Sequence, residues 1–171
     1  MKTVFRLSIA VVAISCMATD TFSQNINGTF AIKNVKTGIY LRIKDANKSD
    51  GTPLVAYSPV NWKCATWHFN RIEGQNYQLK NLFTGKTFQS QETAPANGVA
   101  LEQKPFISKE VNQQYEFIPV KGNIYLIRLR NTDLYITPGD NNGTVNSQII
   151  LAKKNGTDLQ YWTLHEQKPE I

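Results

Sequence analysis

The sequence of 171 residues contains only two cysteines, Cys16 and Cys64. Cys16 lies in an apolar N-terminal stretch, so the rest of the chain has a single thiol and cannot form an internal disulfide. This excludes a small secreted domain that depends on disulfide bonds for its stability. We interpret Cys64 as a small, part-buried packing residue.

Runs of one charge and long apolar runs are also scarce. The formal charge is +6 at pH 7, but the lysines are dispersed and never form a run of five or six. Dispersed lysines are typical of a solvated surface, so we predict no nucleic-acid partner. The apolar run over residues 7–18 is too short to cross a bilayer, and no membrane span is predicted.

Residues 1–23 have the composition of an export signal, because Lys2 and Arg6 precede the apolar run and small residues follow it. Cleavage before Gln24 would leave one domain of residues 24–171. Residues 13–16 also resemble a bacterial lipobox, which ends in the cysteine that receives a lipid anchor, here Cys16. We favour the freely secreted form and keep the surface-anchored lipoprotein as the alternative; both are extracytoplasmic.

Catalytic and metal-binding patterns are missing as well. Neither His68 nor His165 has Cys, Asp or Glu partners at metal-ligand spacing, so no metal site is predicted. The acidic residues are dispersed along the chain and do not suggest a paired acid and base. No glycine-rich phosphate loop precedes a helix. The sequence therefore predicts a protein that is not an enzyme and needs no cofactor.

What the sequence does contain is a series of short, alternating segments rich in β-branched and aromatic residues, and none has a convincing helical period. We predict four strands in each of three units. The first eight strands are predicted at residues 29–34, 40–44, 53–58, 67–72, 77–82, 87–91, 100–103 and 115–120.

The three units are copies of one repeat. The repeat is marked by three aromatic residues that stand 48 and 47 residues apart, Trp67, Tyr115 and Trp162, and the sequences that flank them are similar. The repeats cover about 27–74, 75–122 and 123–167. A period of this size indicates supersecondary units that share one core, and strand alternation turns these three aromatic side chains toward it.

The ends of the repeats resemble the Gln-x-Trp signature of the ricin B-type lectins. Residues 160–162 read Gln-Tyr-Trp, residues 113–115 read Gln-Gln-Tyr, and residues 65–67 read Ala-Thr-Trp and keep only the aromatic. The resemblance implies an all-β fold, a β-trefoil of twelve strands in three pseudo-symmetric repeats. We expect one such domain, and a monomer.

In that family a repeat can bind sugar through an aspartate in its second strand, a glutamine and an aromatic in its third, and an Asn-Gln pair before its fourth. In the first repeat, Arg42 and Val55 replace the aspartate and the glutamine, but Tyr57 stands at the aromatic position. Three further polar residues lie in the adjoining loop, namely Asp45, Asn47 and Asp50. An aromatic face beside polar groups is typical of a sugar site.

The second repeat keeps the other half of the pattern. Asn112 and Gln113 reproduce the Asn-Gln pair, with Gln89 and Glu102 as polar substitutes, but Lys104 replaces the aromatic. The third repeat is the weakest candidate, because we place Ile136, Ile150 and Ala152 at its outward positions. The candidate sugar-binding residues are therefore Tyr57, Asp45, Asn47, Asp50, Gln89, Glu102, Asn112 and Gln113.

Two functions fit these observations. The first is an exported, non-catalytic lectin with one or two shallow, weak sugar sites and a glycan or polysaccharide as its partner. The second is a protein-interaction module, such as a protease inhibitor or an accessory surface domain, on a trefoil that has lost sugar binding. The long polar loops motivate the second, because loops on a rigid scaffold commonly carry protein contacts.

Overall fold

The computed structural model describes residues 25–171. The export segment of residues 1–23 and the lipobox cysteine Cys16 lie outside the described residues. Within residues 25–171 no helix is long and apolar enough to cross a membrane.

The described chain is all-β, with twelve short strands in three groups of four. The first group is β1 (Thr29–Asn34), β2 (Tyr40–Ile43), β3 (Leu54–Tyr57) and β4 (Trp67–Glu73). The second is β5 (Asn76–Asn81), β6 (Thr87–Ser90), β7 (Leu101–Lys104) and β8 (Gln114–Lys121). The third is β9 (Ile124–Leu129), β10 (Leu134–Pro138), β11 (Ile149–Lys153) and β12 (Tyr161–Glu166). The bounds predicted for the first eight strands all lie within one residue of these.

Six of the strands close into a barrel. Antiparallel pairing runs from β1 to β4, β5, β8 and β9, continues to β12, and returns from β12 to β1. The remaining strands form one hairpin per repeat, β2–β3, β6–β7 and β10–β11. Isolated bridges join the hairpins to one another at Pro53–Glu102, Val55–Gln148 and Ala100–Ile150. A closed barrel capped by three linked hairpins is the β-trefoil that the resemblance to the ricin B-type lectins implies.

The three marker aromatics fill the centre, as predicted. Trp67, Tyr115 and Trp162 are fully buried. Each donates one hydrogen bond to a backbone carbonyl in the second strand of its own repeat: Trp67 to Leu41 at 3.2 Å, Tyr115 to Phe88 at 3.3 Å and Trp162 to Ile136 at 3.0 Å. Burial also raises the pKa of the Tyr115 hydroxyl well above its ordinary value. Leu41, Phe88 and Ile136 are thus equivalent positions, and all three face the core.

Two buried asparagines hold repeats together: Asn81 joins the second repeat to the first, and Asn34 joins the first to the third. The Oδ1 atom of Asn81 accepts hydrogen bonds from the N–H groups of Phe83 and Thr84 at 3.1 and 3.2 Å, which fixes the turn after β5. Its Nδ2 donates to the carbonyl of Cys64 at 3.1 Å, in the loop that leads into β4. Asn34 forms the matching contacts and reaches the carbonyl of Leu159 at 2.7 Å.

The third repeat has Leu129 at this position, paired with Tyr115 as Asn81 is paired with Trp67. Gln78 holds the equivalent loop instead. Its Nε2 donates to the carbonyl of Ile107 at 2.8 Å, and its Oε1 accepts from the N–H of Lys109 at 2.9 Å. The backbone is therefore pseudo-symmetric, although the side chains that hold the equivalent loops differ between repeats.

Candidate functional site

The register of the three hairpins determines which side chains point away from the core. Arg42 is paired with Val55 in the first hairpin, Gln89 with Glu102 in the second, and Thr137 with Ile150 in the third. The placement of Ile136 at the outward position of the third repeat was therefore wrong by one residue. Ile136 is fully buried, and Thr137 is the equivalent of Arg42 and Gln89.

In the first repeat, three side chains form what we call the first-repeat cluster, namely Arg42, Tyr57 and Trp62. The guanidinium carbon of Arg42 lies 3.9 Å from the centre of the Tyr57 ring and 5.9 Å from that of Trp62. The two rings are 6.2 Å apart and inclined by 34°. Strand alternation explains part of this arrangement, because residues 40 and 42 on β2 lie on the same side of the hairpin as residue 57 on β3.

The cluster changes the interpretation of Tyr57. Arg42 covers one face of its ring, so that face is not available to a sugar. Trp62, in the loop between β3 and β4, is instead the most exposed aromatic of the cluster, with 38% of its surface accessible. Trp62 is not among the candidate residues predicted from the sequence, because it lies outside the predicted strands. The signal that could have identified it is a tryptophan in an otherwise polar loop.

The three polar residues of the adjoining loop have different partners. The Oδ1 of Asp45 lies 4.0 Å from Nη2 of Arg42, which is close to the cluster but beyond hydrogen-bonding distance. Asn47 accepts from the N–H of Ser49 at 2.8 Å, and Asp50 forms an ion pair with Lys86 at 2.5 Å. All three line a shallow surface notch that does not include Tyr57. Of the three, Asp45 alone contributes to the cluster.

In the second repeat, Gln113 is part of the framework. It is fully buried, and its Nε2 donates to the Oε1 of Gln89 and to the carbonyl of Pro105, both at 2.9 Å. Its Oε1 accepts from the N–H of Ile107 at 3.0 Å. The prediction that Gln113 contacts sugar is therefore corrected, because its amide is fully engaged within the protein.

Gln160, the equivalent in the third repeat, behaves in the same way. Its Nε2 donates to the carbonyl of Lys153 and its Oε1 accepts from the N–H of Asn155, both at 3.0 Å. The glutamine of the Gln-x-Trp signature thus fixes the loop before the fourth strand in both repeats that contain it. In the third repeat Ile150 and Ala152 leave few polar groups for a ligand.

Three outward residues of the second repeat do share a cleft. Gln89, Lys104 and Asn112 line a cavity of about 170 Å³, together with residues of the loop over 90–95. Lys104 also forms an ion pair with Glu102 at 2.6 Å, which leaves Glu102 almost buried beneath it. Among the predicted residues of this repeat, Gln89 and Asn112 are therefore the ones that a ligand in the cleft could reach, beside Lys104 and the exposed Glu92.

Residues 25–171 contain no cluster of three or more His, Cys, Asp or Glu side chains with the geometry of a metal site. Cys64, also within this range, is a free and buried thiol.

Comparison with protein families finds a match to the first half of the chain. Residues 21–104 match the model of the family described as ricin-type beta-trefoil lectin domain-like. No curated protein matches the sequence.

Several solved structures share the fold. The agglutinin of Rhizoctonia solani has a TM-score of 0.75 at 18% identity and covers 84% of this chain and 98% of its own. The ricin B-like lectin of Macrolepiota procera, solved with lactose, has a TM-score of 0.67 at 21% identity and covers 85% and 100%. ThreeFoil, a designed threefold-symmetric protein, has a TM-score of 0.77 at 20% identity and covers 82% and 99%. The resemblance to the ricin B-type lectins is therefore confirmed: the chain is a β-trefoil whose residues 21–104 match the ricin-type lectin domain-like family.

Proposed function

We propose that the protein is an exported, non-catalytic carbohydrate-binding module that acts as a monomer. It has two shallow sites, one at the first-repeat cluster and one in the second-repeat cleft. The observation that carries the proposal is the position of Trp62, an exposed aromatic beside an arginine on the outward side of the first hairpin. An aromatic face covers the C–H face of a sugar while neighbouring polar groups bind its hydroxyls.

The second site is built differently. Gln89, Lys104 and Asn112 supply amide and ammonium groups around the cleft, but no aromatic side chain lines it. Gln89 is held in place through its bond to Gln113, so its amide is oriented before a ligand arrives. Without an aromatic surface we expect this site to be the weaker one. Two weak sites on one molecule raise the overall affinity for a polymer when both are engaged.

A glycan array and a pull-down with insoluble polysaccharides test the proposal. Trp62→Ala is expected to weaken binding about tenfold or more, the loss that removing one stacking contact typically causes. Asn112→Ala is expected to have a smaller effect, and the double variant should abolish retention. Phe83→Ala is a matched control, because Phe83 is an aromatic of the same 38% exposure that lies in a turn outside both sites. Retention by the double variant equal to that of the unmodified protein would contradict the site assignment.

A protein-interaction module is the second candidate. Ile107 and Val111, both exposed, lie in the loop between β7 and β8 and give it apolar contact surface. If this loop binds a protein partner, Ile107→Ser should reduce co-purification of that partner and leave glycan binding unchanged. The lectin proposal predicts that this variant has no effect on retention by polysaccharide.

Export is a part of the proposal that can be tested separately. The composition of residues 1–23 supports it, and the two processing routes give different mature chains. Mass spectrometry of the mature protein should find Gln24 at the N-terminus if the protein is freely secreted. A lipid-modified Cys16 would instead identify a surface-anchored lipoprotein.

A further inference from the structure

Arg42 carries a positive charge that no hydrogen bond from residues 25–171 neutralises. The residue is only 6% exposed. Its Nε atom is sealed from solvent and has no hydrogen-bond partner among residues 25–171. The Asp45 carboxylate, at 4.0 Å from Nη2, is too distant for a hydrogen bond. Burying a charged group without partners is costly, so this arrangement is unusual for a residue with a purely structural role.

The contact with Tyr57 does not satisfy these donors. A guanidinium that stacks on an aromatic ring uses its flat face, while all five of its N–H bonds lie in its plane. The guanidinium carbon lies at a stacking distance of 3.9 Å from the Tyr57 ring centre. In a stacked arrangement the terminal N–H groups point away from the ring and remain available to a ligand. A planar carboxylate can accept two parallel hydrogen bonds from such a fork, which a single hydroxyl cannot do.

Trp62 lies beside this fork, with its ring centre 5.9 Å from the guanidinium carbon. A sugar stacked on the exposed Trp62 ring would place the substituents at its edge next to Arg42. The formal charge of the whole sequence is +6, and it stays positive, at +5, when Lys2, Arg6 and Asp20 of residues 1–23 are left out; this favours an acidic ligand over a basic one.

We infer that the first-repeat cluster binds an acidic saccharide, with Trp62 stacking on a uronic acid ring and Arg42 pairing with its carboxylate. This specificity rests on the proposed carbohydrate-binding function and narrows its ligand class. It also gives Arg42 a role, where the sequence pattern had indicated only the loss of an aspartate.

Asp45 provides a way to distinguish an acidic ligand from a neutral one, because its carboxylate would lie near that of a bound uronic acid. Its side chain is largely exposed and does not form a close ion pair, so it can turn toward solvent. Asp45→Asn removes a like charge and should tighten binding of a uronate. If the cluster instead bound a neutral sugar through the Asp45 carboxylate, the same change would weaken binding.

The test compares oligosaccharides of galacturonate, glucuronate and mannuronate with their methyl esters, which keep the sugar backbone and remove the charge. Intrinsic fluorescence provides the readout. Trp67 and Trp162 are fully buried, so a ligand-dependent change reports on Trp62, and Trp62→Phe should remove it. We expect at least one acid form to bind about tenfold more tightly than its ester, the difference expected for hydrogen bonds to a charged group.

Arg42→Gln should abolish the preference for the acid form, and Arg42→Lys should reduce it because the planar fork is lost. Arg71→Gln is the control for net charge, since Arg71 is exposed on β4 and donates to the carbonyl of Gly74. If Arg42→Gln does not fold, Asp45→Asn decides: tighter uronate binding supports the inference, and unchanged or weaker binding overturns it.

The possible failures can be told apart. Neutral glycans bound on the array, with every acid form bound no better than its ester, would overturn the uronate assignment and leave the lectin function intact. A preference for the acid form that persists in Arg42→Gln would also overturn it. No binding to any glycan would overturn both proposals.

Discussion

The side-chain amide of Gln113, in the loop before β8, donates a hydrogen bond to the side-chain oxygen of Gln89 on β6 at 2.9 Å. One partner is fully buried and the other faces outward. A residue of the Gln-x-Trp signature thus orients a side chain at the candidate site without touching a ligand itself. The signature is therefore linked to the function of the fold only indirectly, through the loop and the side chains that it positions.

Gln113→Ala should destabilise the protein, because a buried side chain and its three hydrogen bonds are lost: those to Oε1 of Gln89, to the carbonyl of Pro105 and from the N–H of Ile107. A hydrogen bond typically contributes about 0.5–1.5 kcal/mol, so we expect the loss of three to lower the free energy of unfolding by about 2–4 kcal/mol in urea denaturation. Asn112→Ala is the neighbouring control and should change it by less than about 0.5 kcal/mol, since its side chain is exposed. Equal losses in the two variants would contradict the framework role.

The two tryptophans of the first repeat should respond in opposite ways to truncation. Trp67→Ala removes a fully buried ring and its hydrogen bond to Leu41, and we expect a loss of about 3–5 kcal/mol in the free energy of unfolding. Trp62→Ala should cost less than about 1 kcal/mol and affect ligand binding instead. Chemical denaturation of both variants, together with a glycan titration of Trp62→Ala, distinguishes a tryptophan that stabilises the core from one that binds a ligand. A strongly destabilised Trp62→Ala variant would show that this ring is structural.

Asn81→Ala should lower the free energy of unfolding by about 2 kcal/mol, because the turn after β5 and the carbonyl of Cys64 both lose a buried partner. Thermal or urea unfolding measures the change. Asn61→Ala, at an exposed loop position, should leave stability within about 0.5 kcal/mol of the unmodified protein. A neutral Asn81→Ala variant would mean that other contacts hold the first and second repeats together.

The imidazole of His165 should titrate below its ordinary pKa of 6.5, mainly because burial disfavours its charged form and also because Lys33 repels it. The unfolded chain then binds the proton more readily than the folded one. Any stability that His165 contributes is complete above pH 6.5 and declines as the pH falls from that value toward the folded pKa. The effect on stability is small since the ring is largely exposed.

An NMR titration of the His165 ring protons checks this direction. Lys33→Gln should raise the pKa of His165 part of the way, since burial remains. A pKa of His165 at or above 6.5 in the unmodified protein would contradict the prediction.

Much of the fold could be read from the sequence because its determinants are local and repeated. The alternation around Trp67, Tyr115 and Trp162 determines which side chains face inward, and all three are buried as predicted. The turn residues that follow Asn34 and Asn81 determine where strands end. Each of these signals occurs in more than one repeat, so a pattern that is weak in one repeat can be recognised by comparison with the others.

The candidate site was less predictable because its contacts join positions with no fixed spacing. Trp62 belongs to a loop, and its proximity to Arg42 follows from the path of that loop and not from strand alternation. The prediction for Ile136 is wrong by one residue because β10 resembles the second strands of the other repeats only weakly. A shift of one residue exchanges the inward and outward faces of a strand. Gln113 could not be recognised as buried, because the same residue type could equally serve a sugar or a loop.

If the protein coats a polysaccharide, as the proposed function implies, the pairing of β12 with β1 affects how neighbouring copies behave. A barrel closed in this way offers no unpaired strand edge, and the bridges between the hairpins occupy part of the remaining backbone groups. Neighbouring molecules held at high density along a polymer therefore have little opportunity to join by strand addition. Such a coating can be dense and still reversible, with each molecule released as an independent unit.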